Sequence, residues 1–179
     1  LVGNAGNNVL RGGDGDDTME GGLCNDTLVG GAGGDRHLGG DGLDTAYYLG
    51  ATAGLTASLA NAAINTGDAR GDSYAAVENL TGTAFDDSLN GNNGANRISG
   101  GGGHDRIKGY LGNDVLIGGA GNDAFIFNTA LDSAANVDAI TDFGNGDDAI
   151  WLEDAIFTAL GQPQGPLREA AFKNLDAPG

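Results

Sequence analysis

The sequence lacks most of what a catalyst, a membrane span or a nucleic-acid binder would need. One cysteine among 179 residues, Cys24, excludes a disulfide framework. Two histidines and no H-E-x-x-H motif leave no catalytic constellation to draw, so any catalytic domain is expected outside this chain. Lys plus Arg number 8 against 25 Asp plus Glu, a net charge of −17, whereas binding phosphates takes a basic surface. No run of 18 apolar residues is free of Gly, Asn or Ser, so no membrane span is expected. Three prolines and no three-residue glycine period exclude collagen. Glu supplies only 4 of the 25 acids, unlike the Glu-rich acidic tails that stay disordered. The chain opens on Leu1 rather than Met, with no signal peptide before it, and reads as a piece of a longer protein.

What is abundant is Gly, at 35 residues, together with 21 Asp. Both belong to turns, and both recur with one period. Cut every nine residues from Gly3, the chain reads GNAGNNVLR, GGDGDDTME, GGLCNDTLV, GGAGGDRHL and GGDGLDTAY over 3–47. Cut again from Gly82, it reads GTAFDDSLN, GNNGANRIS, GGGGHDRIK, GYLGNDVLI and GGAGNDAFI over 82–126. Position 1 is Gly in all ten; position 6 is Asp in eight and Asn in two, Asn8 and Asn96. Position 8 is apolar in nine: Leu10, Met19, Leu28, Ala46, Leu89, Ile98, Ile107, Leu116 and Phe125, with His37 the exception.

Positions 7 to 9 therefore form a very short strand with one inward side chain, and positions 1 to 6 a glycine-rich turn. Two nonads make a coil of 18 residues, and residue n stacks on residue n+18. The stack sets Asp17 over Asp35, Asp26 over Asp44, Asp87 over Asp105 and Asp105 over Asp123. Like charges about 4.8 Å apart repel strongly. A solvated acidic face is the plainer reading of so many carboxylates, but such a face has no need of turn glycines. The arrangement calls for a hard divalent cation, and Ca²⁺, which takes 6–8 oxygens, suits it better than Mg²⁺. Zinc would want Cys and His at ligand spacing.

These nonads, GGDGDD, GGAGGD and GGAGND above all, resemble the RTX calcium-binding repeat, G-G-x-G-x-D-x-U-x. The resemblance implies an all-β fold, a right-handed parallel β-roll with Ca²⁺ between same-side turns. It further implies ligands from carbonyls at positions 2 and 4 and Asp at 6 of the upper turn, with carbonyls at 1 and 3 and the Asp of the lower. Carried over, one site joins Gly13, Gly15 and Asp17 to Gly30, Ala32 and Asp35. A second joins Gly22, Cys24 and Asp26 to Gly39, Asp41 and Asp44. A third joins Gly101, Gly103 and Asp105 to Gly118, Ala120 and Asp123. Three more depart from the pattern. Asn8 faces Asp26; Asn96 faces Asp114 across Gly109, with Tyr110 at a glycine position; Asp87 faces Gly100, Gly102 and Asp105, with Thr83 and Phe85 replacing glycines. The expected load is roughly three to six Ca²⁺ ions.

The period divides the chain into a first roll block at 1–47, a connector at 48–81, a second block at 82–126, a cap at 127–160 and a tail at 161–179. In the connector, Leu55, Ala57 and Leu59 alternate as a half-buried strand, residues 65–72 read as a loop, and Leu80 falls on the position-8 register. Val77 to Leu80 resembles the strand entering the roll of serralysin-type proteases. The reading is two short rolls whose exposed ends are covered by a non-roll β insert. Residues 137–152 read as a hairpin around Gly144 and Gly146, capping the stack with Phe143 and Trp151, followed by a short helix at 153–160. ITDFGNGDDAIWL resembles the segment that follows the repeats in secreted RTX proteins.

The functional expectation is a module that folds on Ca²⁺ and supports secretion and extracellular folding of a larger bacterial protein. Its partners would be calcium, upstream domains and a type I secretion machinery. The alternative is an adhesive or polysaccharide-binding module, for which Arg97, Arg106 and Lys108 supply a basic cluster. Arg70-Gly71-Asp72 and the sequons at Asn25 and Asn79 read as coincidences, and His104, at the variable position 5, as exposed.

Overall fold

The computed structural model describes residues 1–129, 135–144, 146–153 and 167–168. The first block carries β1 (Val9–Asp14), β2 (Thr18–Leu23), β3 (Thr27–Ala32), β4 (Arg36–Asp41) and β5 (Thr45–Tyr47). The connector carries β6 (Thr56–Ser58), two 3₁₀ turns at Ala62–Ile64 and Gly67–Ala69, β7 (Ser73–Ala75) and β8 (Asn79–Thr81). Then come β9 (Ser88–Asn90), β10 (Arg97–Gly102), β11 (Arg106–Lys108), β12 (Val115–Ala120), β13 (Ala124–Phe127), β14 (Ala139–Ile140), β15 (Ala149–Leu152) and β16 (Leu167–Arg168). None of the described helices is long and apolar enough to cross a membrane.

The chain is all-β, and within the repeat blocks its strands pair in parallel at the 18-residue offset, as in Leu10 with Leu28, Met19 with His37, and Ile98 with Leu116, while β15 and β16 pair antiparallel. Each strand points one side chain inward. Met19, Leu28, Ala46, Leu89, Ile98, Ile107, Leu116 and Phe125 are all fully buried, forming the thin column of a β-roll. His37 sits in this column, also fully buried, stacked on Tyr74 at 5.3 Å between ring centroids.

Two expectations are corrected. The connector is not a separate insert between two rolls. One face of the molecule is a single sheet in the order β1-β3-β5-β8-β10-β12-β14, so β8 pairs with β5 of the first block and β10 of the second. Only the opposite face is divided, into β2-β4-β7 and β16-β15-β13-β11-β9-β6. The connector strands share the period-2 alternation of the repeats, so Ala57, Tyr74 and Leu80 continue the column, and pairing satisfies backbone groups that an insert would leave open. Residues 137–152 are likewise no hairpin. β14 adds to β12 on one face and β15 to β13 on the other, making one further coil.

Capping is done by Phe143, 6.2 Å from Phe125, and by Ile150, in register with Phe125. Trp151, one residue out of that register, turns outward, 37% exposed, with the Arg106 guanidinium 5.2 Å from its ring. The helix expected at 153–160 and the tail after it lie outside the described residues, apart from Glu153 and β16.

Candidate metal centres

Most turns repeat one arrangement around position 6. One carboxylate oxygen accepts the N–H of the position-6 residue one coil earlier. Asp17 donates to Asp35 Oδ1 at 2.8 Å, Asp26 to Asp44 at 2.7 Å, Asp87 to Asp105 at 2.9 Å and Asp105 to Asp123 at 2.9 Å. Asn8 and Asn96 donate in the same way to Asp26 and Asp114. This bond fixes the carboxyl and leaves its second oxygen beside the position-1 glycine of its own turn. The Oδ2 atoms of Asp26, Asp35, Asp44, Asp105, Asp114 and Asp123 are buried with no hydrogen-bond donor. A buried carboxylate oxygen without a partner is costly, so six of them in one register call for a ligand.

The glycines explain themselves against these oxygens. A Cβ on Gly30, Gly39 or Gly118, each at position 1, would collide with the Oδ2 of Asp35, Asp44 or Asp123 in its own turn. At position 2, Gly31 has φ +107°, and a side chain there would run into the Gly13 carbonyl of the coil before it. The other upper-turn carbonyls make the same approach: Gly15 toward Gly33, Gly22 toward Gly40, Cys24 toward Gly42, Gly101 toward Gly119 and Gly103 toward Gly121. Of the lower-turn carbonyls, Ala32 and Ala120 accept the N–H of Gly15 and Gly103 at 2.7 and 2.9 Å, leaving one lone pair each.

In the three turn pairs that follow the pattern, one position-6 carboxylate thus stacks on another, and carbonyls of one turn approach the glycines of the next. No three His, Cys, Asp or Glu side chains gather among the described residues. The remaining donors are backbone oxygens, a hard all-oxygen set of the kind Ca²⁺ takes. Cys24 offers its carbonyl to the turn, while its exposed thiol donates to the Ala5 carbonyl at 3.3 Å.

Electrostatics give the same requirement. Burial, then the charges of Asp87, Asp123 and Asp86, push the Asp105 carboxyl up to about 7. Burial and the neighbouring Asp138 push Asp114 up to about 6. Asp35, Asp44 and Asp123 are raised by burial first, with Asp17, Asp26 and Asp148 the leading neighbouring charges. The stack resists ionising until something positive joins it.

Where the pattern departs, the protein supplies the donors itself. Asn8 Oδ1 accepts the Asn4 N–H at 2.6 Å, and Asn96 Oδ1 the Asn92 N–H at 2.8 Å. Asp87 has both oxygens met: Oδ1 by Leu55 N–H at 2.8 Å and Thr83 Oγ1 at 3.2 Å, Oδ2 by Thr83 N–H at 2.6 Å. Sequence reasoning missed Asp72, Glu78, Asp138 and Asp148, which accept from Asp35, Asp44, Asp114 and Asp123 respectively at 2.8–3.0 Å. Their separations, 37, 34, 24 and 25 residues, break the 18-residue rule. The signal was the local triplet, an acid two residues before an inward apolar or aromatic side chain: Asp72 before Tyr74, Glu78 before Leu80, Asp138 before Ile140 and Asp148 before Ile150. Position 5 was also more than a variable position. Asp16 Oδ1 accepts the Gly34 N–H at 2.9 Å, Asp86 Oδ1 the His104 N–H at 2.7 Å, and the exposed His104 accepts the Asn122 N–H at Nδ1, also at 2.9 Å.

The profile of the RTX calcium-binding nonapeptide repeat family matches the chain in 4 copies, over residues 2–37, 75–107 and 99–128, half of its length. A search of curated proteins returned no match.

Proposed function

Because the chain belongs to the RTX calcium-binding nonapeptide repeat family, a calcium-binding module, we propose that it folds as its turns take up Ca²⁺ and so supports secretion and extracellular folding of a larger bacterial protein. The observation that carries this is the row of six buried carboxylate oxygens without donors. The residues proposed to hold the ions are Asp17 with Asp35, Asp26 with Asp44, and Asp105 with Asp123, together with the converging turn carbonyls. A bound Ca²⁺ would supply positive charge and oxygen coordination where carboxylates and carbonyls otherwise face one another. The chain's own part is to hold those oxygens in place: the N–H of each position-6 residue orients the next carboxylate, and the position-1 glycines leave room for it.

Ordering glycine-rich turns costs about 1–2 kcal/mol per residue, and the −17 charge opposes compaction. Each coil returns only a pair of buried column side chains. Cation binding is then folding free energy. Extracellular Ca²⁺ modules work at about 10⁻⁴–10⁻³ M, so the chain would stay unfolded for export at low cytosolic Ca²⁺ and fold outside. Far-UV circular dichroism tests this: a largely disordered chain in chelator, a cooperative β signal on adding millimolar Ca²⁺, and no such signal with Mg²⁺. A repeat region fully folded in chelator would refute the reading.

A second reading, an anionic-polysaccharide surface, is favoured by one observation. Arg106, Lys108 and the Trp151 ring stacked on Arg106 share the outer face of one sheet. Arg97 falls on the opposite face, because alternate nonads alternate faces, so the basic cluster read from the sequence is split. A polyuronate titration at fixed Ca²⁺, comparing wild type with Arg106→Ala, decides it; no binding removes this reading.

A further inference from the structure

The middle of the roll uses a different chemistry from the arrays on either side. Asp72 takes the position-6 place below Asp35, accepting its N–H at Oδ1 at 2.8 Å. Its Oδ2, the atom left without a donor in six repeat carboxylates, accepts the Tyr48 hydroxyl at 2.6 Å. The two hydroxyls of Tyr48 and Tyr74 lie 2.6 Å apart. Asn65 ties the network to the connector: Oδ1 accepts the Ser58 N–H at 2.9 Å, and Nδ2 donates to the Asp72 carbonyl at 3.4 Å and Tyr74 Oη at 3.3 Å. One coil further, Asp87 is met by Leu55 and Thr83. Apolar packing is thicker here too. Tyr48, Leu55, Ala57, Ala69, Val77 and Leu80 are all buried, and residues 46–67 carry no charge at all.

We propose that residues 46–90 form a metal-independent seed, a central region that folds before any cation binds and on which both repeat arrays then build outward. The proposal extends the calcium-dependent folding proposed above. A repeat coil must order a glycine-rich segment against stacked charge with little core to offset it. The central coils meet the same demand with hydroxyl, amide and backbone donors and with a wider core. A solenoid can nucleate wherever a unit is stable on its own terms, and this region already presents edges to both sides. β5 and β7 continue strands of the first array; β8 and β9 pair with β10 and β11 of the second.

Hydrogen–deuterium exchange of the whole chain, read peptide by peptide by mass spectrometry, tests the proposal. In chelator, peptides within 46–90 are expected to exchange at least roughly tenfold more slowly than unprotected chain, while peptides from 8–35 and 97–125 exchange freely. Millimolar Ca²⁺ then spreads protection to both arrays. Tyr48→Phe, which removes the donor to Asp72 Oδ2, is expected to abolish the central protection in chelator. Tyr47→Phe, whose ring lies on the outer face, is expected to leave it intact. A centre that exchanges as freely as the repeats in chelator overturns the seed, as does full protection in Tyr48→Phe. Protected repeat arrays in chelator would instead overturn the calcium-dependent folding, so the two failures are distinguishable.

Discussion

Asp105 and Asp72 hold the same place in two coils, each accepting the N–H of the position-6 residue one coil earlier, at 2.9 and 2.8 Å. The second oxygen of Asp105 is buried with no donor, and its carboxyl is pushed up to about 7. The second oxygen of Asp72 accepts a tyrosine hydroxyl, and burial raises its carboxyl less far, to about 6. One backbone geometry thus serves two solutions to a buried carboxylate: leave it for a cation, or donate to it from the protein. The choice is made by residues around the turn. A turn with small residues at positions 1, 2 and 4 exposes carbonyls and nothing else; a turn near Tyr48, Thr83 or Asn65 supplies donors. On the reading proposed above, the repeats are conditional structure and the centre is unconditional, although both belong to one sheet.

The largest effect that would break or sharpen this contrast comes from filling the cradle. Gly30→Ala sets a Cβ against Asp35 Oδ2. The overpacking is worth about 1–3 kcal/mol and would raise the Ca²⁺ midpoint of folding roughly tenfold. Gly34→Ala, in the same turn, meets nothing nearer than 3.5 Å and should leave the midpoint close to wild type. Equal shifts in the two variants would refute the cradle.

Next in size is a comparison of two aspartates. Asp105→Asn removes charge from a carboxylate whose second oxygen has no donor and is expected to raise the Ca²⁺ midpoint several-fold, since affinity follows ligand charge count. Asp87→Asn, whose carboxylate is already met by Leu55 and Thr83, should shift it far less. Isothermal titration of both variants decides the matter, and equal losses would show that Asp87 also holds metal.

The recurrence of Gly at position 1 and Asp at position 6 made the coil, its register and the charged turns legible from sequence. The structure adds the reason: position 1 touches the position-6 carboxylate, so the two residues are one constraint. Other parts escaped because they keep the chemistry and lose the spacing. Asp72, Glu78, Asp138 and Asp148 stand in the ladder, but loops of irregular length precede them. The connector looked unlike a roll because its 3₁₀ turns replace glycine turns, and the 137–152 segment looked like a hairpin because two short strands joined by glycines read alike whether they pair with each other or with the coil above. Trp151 was misplaced by one residue of register, which in a strand is the whole difference between core and surface.

A smaller effect is expected from pH. The Asp105 carboxyl rises from 3.8 to about 7 in the metal-free fold. That fold therefore holds a proton that the unfolded chain has released, and its stability should increase as pH falls from about 7 toward 4 and be lost as pH rises through 7. Ca²⁺-driven folding starts from the unfolded chain, whose carboxylates are already ionised at these pH values, and ends with them ionised against the metal, so the Ca²⁺ midpoint should stay nearly flat from pH 8 to 6. Midpoints by circular dichroism at pH 8, 7 and 6 check this; a midpoint that climbs about tenfold over that range would show that the metal must displace a proton from a fold already formed.

Smallest is the relief of Tyr110, which sits at φ +76° in a position that glycine holds elsewhere. Tyr110→Gly should stabilise the Ca²⁺-loaded protein by about 1 kcal/mol, seen as a rise in Tm; a fall would mean that the ring contributes more than the strain costs.

The most direct test of the central contrast is the anomalous signal of crystals grown in millimolar Ca²⁺. Peaks are expected between Asp17 and Asp35, Asp26 and Asp44, and Asp105 and Asp123, with none against Asp72, where Tyr48 already donates. Calcium found only on exposed carboxylates such as Asp16 and Asp86, or seated at Asp72 in place of the tyrosine hydroxyl, would contradict the account.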